Sequence, residues 1–175
     1  SNLIVYDNQL FFSANDGTNG IELWKSDGST NGTVIVKDIN LFSGSSSPRD
    51  FIIMSDTLYF TANNGTQGRE LWKSDGSMAG THLVHDISAG TSSSNPINLF
   101  VMNNTLFFGA DDGVHGSELW KSSGSSISTS LIKDIRPGIV ASNLSIIHGV
   151  NGKVVFTADD GIHGQEPWVT DGSSA

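Results

Sequence analysis

Short apolar runs recur along this chain, each closed by a cluster of Gly, Asn, Asp or Ser, and residues 50 to 102 display the pattern best. Phe51-Ile-Ile-Met54 turns at Ser55-Asp56 into Leu58-Tyr-Phe-Thr-Ala62. Asn63-Asn-Gly-Thr-Gln-Gly68 leads to Arg69-Glu-Leu-Trp-Lys-Ser74, and Thr81-His-Leu-Val-His-Asp-Ile87 follows. Four such runs separated by turn residues predict a four-stranded antiparallel meander. In the last unit the first turn reads Asn151-Gly152, the strongest short hairpin signal, because a type I′ turn needs positive φ at both central residues. A Ser-, Gly- and Pro-rich crossing, Ser88 to Pro96, then connects to the next unit.

The pattern repeats without insertion or deletion. Trp24, Trp72, Trp120 and Trp168 are each 48 residues apart, and Glu22, Glu70, Glu118 and Glu166 keep the same spacing. A fixed period of about 40 to 50 residues marks solenoids and propellers, whose units bury apolar surface by stacking on neighbours. Hairpins join strands one to four, and only the long crossing must carry the chain from an outer strand back to an inner one, as in propeller blades. Large apolar side chains on both strand faces, among them Leu58, Phe60, Leu71, Trp72, Leu83 and Val84, suit sheets stacked face to face. A β-solenoid is disfavoured by the antiparallel turn chemistry, and a sandwich is the other architecture weighed. The fold expected is an all-β propeller of four-stranded blades in one repeat domain, with units 1–48, 49–96, 97–144 and an incomplete 145–175, about 3.6 repeats in all.

The sentence Glu-Leu-Trp-Lys-Ser-Asp-Gly-Ser, followed by Gly32-Thr33 or Gly80-Thr81 and then by Val36-Lys-Asp-Ile39 or Val84-His-Asp-Ile87, resembles the ELWxxDGT repeat proteins of bacteria. Columns of Phe (12, 60, 108, 156), Ala (14, 62, 110, 158) and Gly (17, 65, 113, 161 and 20, 68, 116, 164) extend the resemblance over essentially the whole chain. Departures are Ser123 for Asp, Pro167 for Leu and Val169 for Lys. Proline cannot donate to a ladder, so the last motif is expected at an edge or a bulge. The resemblance implies exported proteins with propeller-like repeats and brings no established reaction.

Composition narrows the function classes. Eighteen acidic residues against 9 Lys and Arg give a formal charge of -9, which argues against a nucleic-acid partner, since phosphate binding needs clustered cations. No apolar run approaches the roughly 20 residues of a membrane helix, so no membrane insertion is expected. The chain lacks cysteine, which excludes a disulfide framework and thiol chemistry. Neither a signal-type segment nor an initiating Met is present, so Ser1 reads as a processed or trimmed end, and the secreted or cell-surface location expected is what the resemblance to exported proteins implies.

Candidate chemistry is sparse. Asp111-Asp-Gly-Val-His-Gly-Ser-Glu118 and Asp159-Asp-Gly-Ile-His-Gly-Gln-Glu166 set paired carboxylates beside a sharp turn, as an oxygen-ligand calcium loop does, so Asp111, Asp112, Asp159 and Asp160 are the candidate metal ligands. The competing reading is an Asx turn, in which Asp or Asn side chains bond nearby backbone amides. No other cofactor is indicated. The Glu column reads as a brace for each hairpin, and the Trp column as blade-to-blade packing with the indole N–H on a backbone carbonyl. His115 and His163 belong to different units, and His82 with His85 lacks a third ligand at metal spacing. No catalytic residue is assigned: Arg49, Arg69 and Arg136 occupy unrelated places in their units, so a sialidase-like arginine triad does not form, and no Ser/His/Asp order stands out.

The expected function is therefore a non-enzymatic exported scaffold for protein interaction or self-assembly. A lectin-like carbohydrate binder, calcium-stabilised or not, is the alternative, and a glycosidase-type enzyme the remote one. A multivalent lectin would repeat one constellation in the crossings, whereas Phe42, Gly90 and Gly138 share a column without sharing chemistry. The last unit stops before a fourth strand like Thr33 to Ile39. Completion by another chain or by further sequence is favoured over a small four-bladed ring, and the expected partner is a second copy, in a dimeric ring or a filament, with a carbohydrate or cell-surface ligand as the other candidate.

Overall fold

The computed structural model describes residues 3–173. The strands β1 (Leu3–Tyr6), β2 (Gln9–Asn15), β3 (Ile21–Ser26) and β4 (Val34–Lys37) form the first sheet in that order. The second contains β5 (Arg49–Met54), β6 (Thr57–Asn63), β7 (Arg69–Ser74) and β8 (His82–His85). The third contains β9 (Ile97–Met102), β10 (Thr105–Asp111), β11 (Ser117–Ser122) and β12 (Ser130–Lys133). The fourth contains β13 (Ser145–Val150), β14 (Lys153–Asp159) and β15 (Gln165–Thr170). All pairings are antiparallel, and among the described residues the one helical element is a 3₁₀ turn at Ser126–Ser128.

The tight turns between first and second strands share one geometry. Asp7-Asn8, Ser55-Asp56, Asn103-Asn104 and Asn151-Gly152 all hold positive φ at both positions. This is the type I′ requirement met mostly by non-glycine residues, and the right-handed twist of the flanking strands selects it. The fourth unit shows its first three strands among the described residues, and the four-stranded meander read at residues 50 to 102 is present in the first three units. Its fourth strand is shorter than the apolar pattern suggests: β8 ends at His85, because the Ile87 N–H leaves the ladder to donate to Glu70.

First strands lie side by side, β5 against both β1 and β9, and β9 against β13, while fourth strands form the opposite edges. The core lies in three seams between consecutive sheets. Phe11, Leu23, Val36 and Ile39 of the first sheet meet Leu58, Phe60, Ala62 and Trp72 of the second. Tyr59, Leu71, Val84 and Ile87 on the second sheet's other face meet Leu106, Phe108, Ala110 and Trp120. Phe107, Leu119, Ile132 and Ile135 then meet Val154, Phe156 and Ala158, with half-buried Trp168. Because side chains alternate across a strand, each sheet spends its even and odd positions on different neighbours. Each unit thus needs the next to bury its apolar faces.

Candidate functional site

The buried glutamates are the most unusual polar feature, since a carboxylate rarely sits in a core without partners. Glu22, Glu70 and Glu118 are fully buried. Glu70 accepts hydrogen bonds from Ile87 N (3.1 Å), Ser94 N (2.8 Å) and the Ser94 hydroxyl. Glu22 repeats this with Ile39 N (2.9 Å), Ser46 N (2.9 Å) and the Ser46 hydroxyl. Glu118 receives Ile135 N (3.2 Å) and Arg136 N (3.3 Å), with the Ser142 hydroxyl close by. The partners belong to the crossing that follows the fourth strand. The brace expected within the hairpin instead ties the third strand to the outbound chain, and this difference follows from reach: the hairpin partner of Glu70 is Ala62, which offers only ladder groups already in use. Glu166, in the same column, is exposed.

Burial pushes these carboxyls up, against the opposing pull of the donated hydrogen bonds, and Glu70 reaches about 7. A folded-state pKa above the unfolded one means that the native protein binds the proton more tightly. Stability then falls as pH rises from about 4.5 to about 7, and levels off above. The melting temperature is expected to be higher at pH 5 than at pH 7.5, with the slope reduced in Glu70→Gln. An unchanged slope in that variant would remove Glu70 as its source.

A second device joins the sheets, and it was not foreseen from the sequence. Lys25, Lys73 and Lys121 on the third strands donate across each seam to Gly76 O (2.9 Å), Gly124 O (2.7 Å) and Gly172 O in the turns of the following sheet. Those glycines have positive φ and lie on the ring of Phe11, the hydroxyl of Tyr59 and the ring of Phe107, where a Cβ would crowd or overlap the aromatic group. The Lys column, with Val169 in its last place, was the available signal. In the third unit Ser123 replaces the turn Asp, and the Ser128 hydroxyl takes over by accepting from Ser123 N and Ser125 N (3.1 Å each).

Trp72 and Trp120 are buried in the seams with the preceding sheet, and Trp24 is only half-buried on the rear of the first sheet. The expected indole hydrogen bond is present for Trp168, to Ala158 O at 3.2 Å, but Trp24 and Trp72 place Nε1 in buried surroundings with no partner in the protein. For Trp72, packing in the first seam rather than hydrogen bonding holds the ring. Pro167 lies on β15, an outer edge among the described residues, as its missing donor requires.

The acidic loops close on themselves. Asp112 Oδ1 accepts from Val114 N and His115 N (2.9 Å each), and its Oδ2 pairs with His115 Nδ1 at 2.7 Å. Asp160 does the same with Ile162 N, His163 N and His163 Nδ1, which together lower its carboxyl to about 2. Asp111 accepts from Gly113 N, and Asp159 from Gly161 N and from Arg136 at 2.8 Å. Neutral Asn64 builds the same turn with Thr66 N and Gln67 N, so the geometry needs no cation. Among the described residues no group of three or more His, Cys, Asp or Glu is arranged to hold a metal. Adding calcium or a chelator is expected to leave the melting temperature unchanged, whereas Asp112→Ala, which strands two N–H groups, should lower it. A calcium-dependent rise would overturn this assignment.

His85 bonds the Ser126 hydroxyl, in the 3₁₀ turn before β12, at 2.6 Å, so it serves the second seam. A cavity of about 190 Å³ lies in the last seam between Leu119, Ile132 and Ile135 on one side and Phe156 and Trp168 on the other.

No protein-family model and no curated protein matches this chain. Among solved structures, a prolyl endopeptidase aligns over 93% of this chain and 25% of its own length, at 12% identity and a TM-score of 0.53. The chain thus spans about a quarter of that protein, and the likeness shows the fold alone. An α-L-arabinofuranosidase from Clostridium thermocellum aligns over 99% of this chain and 68% of its own, at 17% identity, but its TM-score of 0.35 carries no argument.

Proposed function

We propose that this chain is a non-enzymatic, exported scaffold of the ELWxxDGT kind, whose blades continue from one copy to the next. One observation carries the reading. The rear of the first sheet presents Leu10, Phe12, Ala14, Trp24 and Ile35, none of them buried. The same columns in the second sheet are Leu58, Phe60, Ala62, Trp72 and Leu83, which pack on the sheet before them. A surface with the chemistry of an internal seam fits the front of another sheet of this repeat. The front of the fourth sheet offers Val155, Pro167 and Val169 for such a head-to-tail contact.

A heterologous contact closes into a ring if the rotation allows and otherwise runs on as a filament. Two copies would supply eight sheets, within the usual range of about 4 to 8 blades for a closed propeller. A non-enzymatic role is supported by where the glutamates and loop aspartates go: Glu22, Glu70 and Glu118 are taken up by the brace, and Asp112 and Asp160 by their own turns. Phe12→Asp tests the reading, because it puts a charge at the centre of the rear face without touching an internal seam. The variant is expected to fold with the wild-type melting temperature at low concentration and to sediment as a monomer. Unaltered association of Phe12→Asp would overturn the proposal.

A further inference from the structure

Four residues that set the second unit apart from its repeats lie together in the structure. The columns of Arg49, Asp50, Thr61 and Arg69 hold Ile97, Asn98, Gly109 and Ser117 in the third unit, and Ser145, Ile146, Thr157 and Gln165 in the fourth. Arg49 stands opposite Thr61 in the ladder of β5 and β6. The buried Thr61 hydroxyl accepts from Arg69 Nη1 (3.2 Å) and donates to Asp50 Oδ2 (3.2 Å), which also pairs with Arg49 Nε at 3.4 Å. Arg69 is fixed further by the carbonyls of Ser47 and Thr61. The Arg49 side chain is 49% exposed, and among the described residues its two terminal nitrogens have no hydrogen-bond partner. Two guanidiniums thus share one carboxylate, a local excess of positive charge in a chain whose formal charge is -9. Burial first, and then the charge of Arg49, lower the pKa of Arg69 against the opposing pull of Asp50. An anion held on Arg49 would relieve that repulsion.

Beside this network a pocket of about 250 Å³ opens between β5 and β9, lined by Asp50, Phe51, Ile52, Asn98 and Leu99. Both strands are irregular here, and Asp50 and Asn98, in one column, hold φ of 59° and 55°. Asp and Asn tolerate that conformation, and a bulge re-aims the side chains it carries. Asn98 Nδ2 donates to Leu144 O at 3.2 Å, which leaves its Oδ1 as an acceptor. The second and third sheets each pack against another sheet on both faces, so the pocket belongs to the interior of the array.

We propose that Arg49 and this pocket form a binding site for one uronic acid, either the free sugar or the end residue of an acidic polysaccharide. The paired N–H groups of a guanidinium match a planar carboxylate, and Arg69, Thr61 and Asp50 hold Arg49 in place from behind. Asp50 and Asn98 supply acceptors for the sugar hydroxyls, while Phe51, Ile52 and Leu99 offer apolar surface to its C–H face. The volume suits a single sugar ring, since pockets for larger ligands start at about 300 Å³. A dianion such as phosphate fits less well, because the Asp50 carboxylate lies on the same guanidinium and repels the second charge. The site is separate from the rear face of the first sheet invoked above.

Sodium galacturonate and sodium glucuronate, titrated separately into the isotope-labelled chain at low salt, test the site by NMR. At least one is expected to bind with a Kd of roughly 1 mM, with shift changes confined to residues 49–52, 61 and 97–99. Arg49→Gln, a change at an exposed side chain, should keep the wild-type melting temperature and weaken binding about tenfold or more. Arg49→Lys, which keeps the charge and loses the fork, should fall between the two. Glucose and inorganic phosphate should each bind at least about tenfold more weakly than the better uronate. A galacturonate trimer that binds more tightly than the monomer assigns the natural source to a polysaccharide end, and equal affinity assigns it to the free sugar. Phe12→Asp protein should bind as the wild type does, so failed self-association and failed sugar binding are read separately. Shifts elsewhere, equal affinity for glucose or phosphate, unchanged affinity in Arg49→Gln, or no binding of either uronate at roughly 50 mM would overturn the inference.

Discussion

Replacing Glu70 by Ala is expected to destabilise the protein by about 3 to 5 kcal/mol, because it strands the Ile87 and Ser94 amides and the Ser94 hydroxyl in a fully buried place, at about 1 to 3 kcal/mol per unsatisfied group. Glu166→Ala, in the same column, removes an exposed carboxylate and should stay within about 0.5 kcal/mol. The contrast separates the brace from any property of the motif itself. Thermal unfolding of the two variants reads it, with a shift on the order of 10 °C for Glu70→Ala and almost none for Glu166→Ala. Equal shifts would mean that the column does not act through the crossing. A local loss at the second unit is also expected to appear in hydrogen exchange as exposure of residues 86–95, since cooperativity in repeat arrays runs mainly between neighbours.

Trp72→Ala is expected to cost about 3 to 5 kcal/mol, the usual range for deleting a large aromatic side chain from a core. The ring is only 6% exposed and meets Leu23, Val36 and Phe60 across the first seam. Trp24→Ala alters the same motif on the rear of the first sheet, where no described sheet meets it, and should cost the isolated chain well under half as much. In the associated protein the difference should shrink, because a neighbouring copy then covers Trp24. Similar losses for both variants in the dilute protein would contradict the stacking of sheets as the source of tryptophan burial.

Much of the fold was legible because the repeat places one residue type in one environment several times. Arg69 to Ser74 is β7, and Leu58 to Ala62 lies within β6, since alternation of side chains and turn chemistry act locally. The seams follow from the same columns once both faces of a strand are apolar. Long-range pairings were not legible. The period aligns Glu70 with its copies but gives no hint that its acceptors reach Ile87 and Ser94, or that Lys73 reaches Gly124 on the next sheet. Those contacts depend on how consecutive sheets are rotated, which no local pattern encodes. The paired aspartates are a further case: Asp111, Asp112, Asp159 and Asp160 look like an ion site in sequence, and in the structure each accepts from an N–H group of its own loop, with Arg136 also on Asp159. Column identity still carries information where the structure differs between units. Val169 replaces the latch lysine and Pro167 a core leucine, both on the sheet whose front no described sheet covers.

Self-association through the rear of the first sheet is the central expectation for this protein. Light scattering of the wild-type chain over a wide concentration range measures this directly. The molar mass is expected to rise with concentration above 18.6 kDa, to twice that value for a closed pair or beyond it for a filament. A mass of 18.6 kDa at every concentration would contradict it.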